Sequence, residues 1–497
     1  MKTVACVKWL WNVSCGIRFR ITLSAIYGVL YVSASLVFVW LSKHLVDIAT
    51  SHAEGNLWVF MVGMLLCIGT QLLFSGLNSR MNGLTDIWLK NHLRRRLFLR
   101  IMESRLTNKE LPHTGDMLNR MEEDVRVVTE TICSTLPSAL VAGIQLMAAF
   151  TFLWIVQPKL AWLLIGIMPV ALLLSKAYLM RMRSLKSDIR TTESRVQSHV
   201  QEHLQHRNLV RTLECLPYTT EILCTQQEKL YRQMMKSTDF SIFSRTVVQG
   251  GFALGYATAF MWGILGMRDG VVTFGMMTSF LQLVVQVQRP VVDLGRYFPS
   301  FIHSLTSAER LSALDMLPAE EQGEPIFLSG NGCESGSVGI RMEDVHFRYP
   351  DGHHDVIDGF SHDFTPGSFT TLVGETGAGK STLIRLILAL LSPNRGTITF
   401  YNGDATANAS PLTRCNVVYV PQGNTLLSGT IRDNLLLGNP DATDKQLCKA
   451  LYTAAAEFVL HMPDGLDTLC GEGGAGLSEG QAPVSYTHLT LPTSLRV

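Results

Sequence analysis

The sequence predicts an all-α polytopic membrane domain followed by an α/β nucleotide-binding domain. Three observations predict it. The first 300 or so residues contain repeated apolar segments near the length that crosses a bilayer, about 20 residues. Charged residues make up only 17 % of the chain, below the ~25 % usual in soluble domains. Later, Gly374-Glu375-Thr376-Gly377-Ala378-Gly379-Lys380-Ser381 fits G-x-x-x-x-G-K-[ST], a loop that cradles nucleotide phosphates.

The N-terminus is basic (Lys2, Lys8, Arg18, Arg20) and turns apolar at Ile21. The run to Leu41 is long enough to span a bilayer, and no small-residue cleavage site precedes a soluble domain, so it reads as an uncleaved first span. Further spans are expected near 57–77, 137–156, 160–180, 247–267 and 272–288. Gln157-Pro158-Lys159 makes the third and fourth a tight hairpin, and Arg268-Asp269-Gly270 turns the fifth into the sixth. Gln282, Gln286 and Gln288 interrupt the sixth.

Basic residues set the expected orientation. Segments 79–136 and 181–244 carry ten Lys plus Arg each, whereas the opposite loops carry one each: Lys43, Lys159 and Arg268. The long loops and the N-terminus are therefore expected on the cytoplasmic side. Leu89, Leu93, Leu97 and Ile101 recur at helical spacing beside Arg94, Arg95 and Arg96, so the membrane helices are expected to run on into the cytoplasm. Pro and Gly at Leu111–Gly115 and Pro at Cys215–Tyr218 mark turns there, read either as solvated connectors or as contact points for the ATPase domain.

Residues 1–316 thus form the expected membrane domain. A Pro-, Gly- and Ser-containing linker covers 317–337, and 338–482 form the nucleotide-binding domain. Strands are expected at Gly339–Phe347, Phe369–Val373 and Val417–Val420, and helices at Ser381–Leu391 and Thr443–His461. The net charge of +1 gives no sign of a nucleic-acid surface. None of the ten cysteines forms a C-x-x-C pair, so neither a zinc site nor a redox motif is indicated.

The phosphate loop carries the clearest chemistry. Gly374, Gly377 and Gly379 let the backbone turn tightly with its N–H groups inward. Lys380 supplies a mobile positive charge for the outer phosphates, and Ser381 a hydroxyl ligand for Mg²⁺. The helix N-terminus behind the loop adds partial positive charge.

The loop alone does not separate kinases, GTPases and transport ATPases; its neighbours do. From about residue 15 to 482 the chain resembles the ATP-binding cassette (ABC) transporters, in particular exporter half-transporters with the membrane domain ahead of the cassette. Leu477-Ser478-Glu479-Gly480-Gln481 is similar to the family signature LSGGQ, with Glu479 in place of the commoner Gly. Tyr349, in Phe347-Arg348-Tyr349-Pro350, stands where the family stacks adenine. Val420-Pro421-Gln422 resembles the loop whose Gln approaches Mg²⁺. Thr430–Asn434 and Gly471–Gly474 resemble further cassette segments. Thr114–Arg120 resembles the first coupling segment, and Ser307–Leu311 the junction after the sixth span.

The resemblance implies ATP and Mg²⁺ as ligands. The nucleotide contacts it implies are Tyr349, Gly374, Glu375, Thr376, Gly377, Ala378, Gly379, Lys380, Ser381, Thr382 and Gln422, with Ser381 and Gln422 toward the metal. The signature Leu477–Gln481 would act in trans, so the partner is a second half-transporter, identical or similar. ATP between two cassettes favours the closed dimer, and closure reorients the helices from inward- to outward-facing. The other partners implied are the bilayer and a transported substrate.

After Gln481 the family continues into an apolar strand ending in Asp, then a catalytic Glu and later a His. Residues 483–497 contain none of these. Val484–Thr493 is what a transposase-type sequencing adapter would encode, so native sequence is expected to end near Ala482. The chain as written is therefore expected to bind nucleotide weakly, not to turn it over usefully, and to miss a central parallel strand. Glu479 and the missing carboxylate leave a second reading open: an ATP-binding regulatory or silent subunit or channel. Cargo stays open among lipid, drug, peptide and glycolipid. Gln71, Gln145, Gln282 and Gln286 lie at membrane depth, where such groups either line a pathway or bond helix to helix. The layout and the adapter-like end point to a bacterial plasma membrane.

Overall fold

The structure, a computed structural model, describes residues 2–105, 114–156, 158–328, 338–349, 352, 354–375, 377–420 and 426–470. In chain order the helices of the N-terminal part are α1 (Lys2–Val13), α2 (Arg18–Ala49), α3 (Leu57–Met102), α4 (Thr114–Asn119), α5 (Val125–Glu130), α6 (Leu136–Val156), α7 (Pro158–Gln205), α8 (Arg207–Thr212), α9 (Leu216–Arg268) and α10 (Phe274–Asp315). Single π-helical turns at Arg120–Asp124 and Thr131–Thr135 flank α5. The chain forms two compact bodies: Met1–Leu97 with Leu118–Ala313, and Phe98–Met117 with Leu314–Val497.

In the first body, α3, α7 and α9 are 46, 48 and 53 residues long. At about 1.5 Å per residue each far exceeds a ~30 Å hydrocarbon core, so each runs well beyond the membrane. Leu89, Leu93 and Leu97 are buried in one stripe of α3, four residues apart, and that stripe fixes which face of the extension packs inward. A core of Val39, Leu153, Ala259, Val272, Met277, Phe280, Leu283 and Val284 joins α2, α6, α9 and α10. Leu65, Leu66, Ile155 and Leu254 face outward in the apolar stretches, as a lipid-facing surface requires.

Four helical stretches of the described residues are long and apolar enough to cross a membrane: Cys15–Ala49, Leu57–Met102, Asp116–Ile155 and Leu216–Arg268. They contain the first, second, third and fifth expected spans. The fourth falls in α7, where the side chains of 159–180 lie outside the described residues. The sixth forms a helix, α10, but does not belong to the apolar set. Its glutamines explain why: each bonds to a neighbouring helix. Gln282 reaches Ser42 Oγ at 3.3 Å, Gln286 reaches Ser35 Oγ at 2.9 Å, and Gln288 donates to Phe252 O at 3.3 Å. The turn before α10 is made by Gly270, whose φ of +72° suits glycine.

The second body is built on a sheet: β1 (Gly339–Phe347), β2 (Ile357–Phe364), β3 (Arg395–Asn402) and β4 (Ala405–Asn408), ordered β2-β1-β3-β4 and antiparallel throughout. α11 (Lys380–Ile387) packs on it through Leu383, Leu386 and Ile387, against Met342, Val345, Phe347, Ile398 and Phe400. A smaller cluster is formed by β5 (Gly429–Thr430), α12 (Ile431–Leu436), α13 (Asp444–Thr453) and β6 (Leu469–Cys470) around Leu435, Leu447, Leu451 and Val459.

Two expected strands are not formed. Phe369–Val373 and Val417–Val420 have no ladder partner among the described residues. Phe369 and Val373 are 96 % and 91 % exposed, a placement that leaves apolar strand formers unused. A strand is held by the backbone bonds of its neighbours, and the only ladders among the described residues are antiparallel. The expected helix Ser381–Leu391 starts one residue earlier and ends at Ile387, where Ala389 turns left-handed with φ +49°. The expected helix Thr443–His461 is α13 followed by a 3₁₀ turn, Glu457–His461.

Candidate nucleotide-binding site

The phosphate loop keeps its own geometry even where the preceding strand is unformed. Gly377 has φ +94° and Gly379 +87°. A Cβ on Gly379 would also stand 2.9 Å from Ile357 Cδ1 and 3.0 Å from Val356 O, so space as well as conformation demands glycine there. Lys380 opens α11, and its Nζ donates to the loop's own carbonyls, Gly374 O at 2.6 Å and Glu375 O at 2.8 Å. The ammonium thus closes the ring that a polyphosphate would enter. Gly374, Glu375, Gly377 and Ala378 are exposed, as is Ser381 in the first turn of α11. Thr376 lies outside the described residues.

Thr382 is buried rather than open, and its Oγ1 shares a hydrogen bond with Tyr349 Oη at 3.1 Å. Tyr349 meets Phe347 edge-on at 4.9 Å between ring centroids, so two contacts hold its ring beside α11. The structure therefore brings Tyr349, Lys380, Ser381 and Thr382 together. Gln422 and the signature residues Leu477, Ser478, Glu479, Gly480 and Gln481 lie outside the described residues, as does the 483–497 tail.

The back of α11 is held by a residue that the sequence reading did not single out. Arg414 donates to Leu388 O at 2.7 Å and Ala389 O at 2.9 Å, capping the carbonyl end of the helix with a cation. Its Nη1 and Nη2 grip Glu320 bidentately at 2.6 and 2.8 Å, Nη2 being shared with Ala389 O. Glu320 N in turn donates to Glu103 O at 2.7 Å, and Arg105 N to Pro318 O at 3.1 Å, just past the end of α3. One polar chain thus runs within the second body from the phosphate-loop helix to the segment after a membrane-length helix. A signal was available, since an Arg behind a phosphate-loop helix needs an acid, but Glu320 is 94 positions away.

The Thr430–Asn434 segment is built by a reciprocal cap. Thr430 N–H and Oγ1 reach Asp433 Oδ2 at 2.9 and 2.7 Å, and Asp433 N reaches Thr430 Oγ1 at 3.0 Å. The Thr430 backbone and hydroxyl bonds hold the Asp433 carboxyl below its ordinary range. Buried Asn434 closes the same turn by bonding Leu427 and Thr430.

In the first body, buried Asp124 joins the segment after α4 to the end of α10. Its Oδ1 accepts from Ser307 Oγ at 2.7 Å and pairs with Arg310 at 3.4 Å, while Oδ2 is buried without a partner. Of the four membrane-depth glutamines, Gln71, Gln282 and Gln286 bond across helices, and Gln145 and Gln286 line a cavity of about 280 Å³.

Fold and site together define a multi-pass membrane protein with a phosphate-cradling nucleotide domain on the same chain. Residues 21–291 match the family described as "ABC transporter transmembrane region", and residues 357–484 that described as "ABC transporter". The first match alone covers more than half of the chain, which belongs to the ABC transporter family. Among its relatives, "ABC transporter B family member 1" of Dictyostelium discoideum is 26 % identical over 87 % of this chain and 48 % of its own length. The "ATP-dependent lipid A-core flippase" of Photorhabdus laumondii is 23 % identical over 95 % of this chain and 81 % of its own. The chain spans about half the length of the first curated relatives it matches. A solved "bacterial Atm1-family ABC exporter with ATP bound" shares the fold with a TM-score of 0.76 and 20 % identity, over 96 % of this chain and 84 % of that one.

Proposed function

We propose that this chain is one half of a dimeric ATP-driven exporter in the plasma membrane, working by alternating access. The observation that carries the reading is the phosphate loop: two left-handed glycines and a lysine folded onto loop carbonyls, at the start of α11. In the proposed division, 1–316 cross the membrane, 317–337 link and 338–482 bind ATP, with the N-terminus and cassette cytoplasmic. Lys380 exchanges its two carbonyl partners for the outer phosphates, and the loop amides and α11 N-terminus neutralise the remaining charge. Tyr349 presents its ring to the base. Ser381 is exposed, and its hydroxyl has no hydrogen-bond partner among the described residues, which fits a metal ligand. Bound there with Gln422, Mg²⁺ would neutralise phosphate charge.

The signature Leu477–Gln481 meets the nucleotide held by a second half-transporter, identical or similar. A bilayer and an unidentified cargo complete the partners, with no nucleic acid. Glu479, where the family more often has Gly, favours as a second reading an ATP-binding regulatory or silent subunit or channel. The test is binding of a fluorescent ATP analogue with Mg²⁺ to the chain in lipid discs. Saturable binding lost in Lys380→Ala is expected; binding indifferent to Lys380 would refute the site. Vanadate-sensitive ATPase stimulated by cargo would separate a pump from a silent subunit.

A further inference from the structure

The cavity in the first body is lined from four helices: α2, α3, α6 and α10. It holds about 280 Å³, room for roughly nine waters at ~30 Å³ each. That is near the lower end of ligand pockets, which run from about 300 to 1,000 Å³. A lipid headgroup or an amino acid fits; a whole lipid or a large drug does not. Its wall is unusually polar for this depth. Asn78, Gln145 and Gln286 line it, with Arg289, Asp293 and Tyr297 one to three turns further along α10.

Two features of that wall point to a ligand. Arg289, which is exposed, and Asp293, which is half-buried, are four residues apart on one helix, yet neither has an ion pair or hydrogen bond among the described residues. Arg289 lies about 22 Å from the start of α10 at ~1.5 Å per residue, inside or at the edge of a ~30 Å hydrocarbon layer. Charges at such depth are costly, and Arg does not shed its proton to escape the cost. They persist where water or a charged ligand meets them. Secondly, the Gln286 Oε1 is buried without a partner, although its Nε2 is anchored on Ser35 at 2.9 Å. An acceptor held in place beside a cation and a carboxylate suits a group that brings its own donor.

We propose that this cavity binds a zwitterionic group of headgroup or amino-acid size. Its phosphate or carboxylate lies on Arg289, and its ammonium on Asp293 and the Gln286 carbonyl oxygen. The proposal rests on the export reading above and names the cargo's chemistry. The same chemistry comes from two sources, a membrane phospholipid headgroup or a soluble zwitterion, and the test separates them.

The full chain is placed in discs of phosphatidylglycerol, which carries no ammonium. Phosphoethanolamine is titrated against glycerol phosphate (anion only) and ethanolamine (cation only), with affinity read by calorimetry. In a second arm, mixed discs of phosphatidylethanolamine and phosphatidylglycerol are stripped, and the lipid that stays bound is identified by native mass spectrometry. In at least one arm the zwitterion is expected to bind tenfold or more tightly than its single-charge analogues. A soluble preference marks free solute as the source, and selective lipid retention marks the membrane. Arg289→Gln should lower affinity at least tenfold. Asp293→Asn should erase the preference over the anion alone, and Arg289→Lys should keep it. Equal binding of zwitterion and single-charge probes, no binding in either arm, or a preference that survives both Arg289→Gln and Asp293→Asn would overturn it. Nucleotide binding is measured on the same discs. If it is intact while zwitterion preference is absent, only this inference fails; if it is lost, the export reading fails as well.

Discussion

Arg414→Ala removes four hydrogen bonds at once. Two go to the carbonyl end of α11 and two to Glu320. The Glu320 side chain is only 15 % exposed and that of Arg414 29 %, so the substitution strands a largely buried carboxylate and two helix-end carbonyls. Breaking a buried pair from one side costs about 3–5 kcal/mol. Partial access of water to Arg414 argues for the lower end, so a loss of about 3 kcal/mol is expected. For a folding unit of this size each kcal/mol corresponds to about 2–4 °C, which makes the expected fall in melting temperature about 6–12 °C. Arg414→Lys keeps the charge but not the planar fork, and is expected to fall about halfway. Glu320→Gln keeps an acceptor for Arg414 and leaves both carbonyl contacts, so about 1 kcal/mol is expected from it. The assay is thermal unfolding of the full chain in detergent at one fixed scan rate, for the parent, the three single variants and the Arg414→Ala/Glu320→Gln double variant. The double variant should cost less than the sum of the singles, because the Arg414 loss already includes the stranded Glu320 charge. An Arg414→Ala melting temperature within 2 °C of the parent would refute the reasoning, and so would strict additivity.

Three further outcomes are expected. Gly379→Ala forces a side chain into φ +87° and against Ile357 and Val356, so it should cost at least about 1–2 kcal/mol and abolish binding of the fluorescent ATP analogue; retained binding would show that the loop relaxes. Gly275→Ala places a Cβ against Asp47 Oδ1 and Lys43 O, where Asp47 now accepts from Gly275 N at 3.1 Å, so the yield of folded protein by size-exclusion chromatography should drop sharply. Thr430 holds the Asp433 carboxyl below its usual range, so this cap contributes fully above about pH 4 and is lost as pH falls through the lowered value. Hydrogen exchange at α12 should therefore speed up beyond the intrinsic trend as pH falls below about 4. In Asp433→Asn, which has no proton to gain, it should show no such step.

Much of the protein was legible in the chain because the signals are local or periodic. Apolar runs give membrane helices, the four-residue spacing of Leu89, Leu93 and Leu97 gives the helical extension, and Gly377-Ala378-Gly379-Lys380-Ser381 gives the phosphate loop. Each depends on residues within a turn or two of one another, where backbone geometry decides. Phe369–Val373 and Val417–Val420 read equally well as strands, yet neither forms one among the described residues. Strand propensity describes a fit to neighbouring strands, and no ladder among the described residues includes them.

The sequence by itself therefore determined the class: membrane helices, a nucleotide loop and the glycines that loop cannot do without. Only the tertiary structure decided that Arg414 locks α11 to Glu320, and that Tyr349 is tied to Thr382. It likewise decided that Arg289 and Asp293 share a cavity wall with Gln145 and Gln286. Those pairings join positions up to 94 residues apart in the first case and 148 in the last. Nothing in the local chemistry of either partner names the other. Long-range contacts are chosen by which helix faces and strand edges the packing of apolar surface brings together, and that choice is made over the whole body at once.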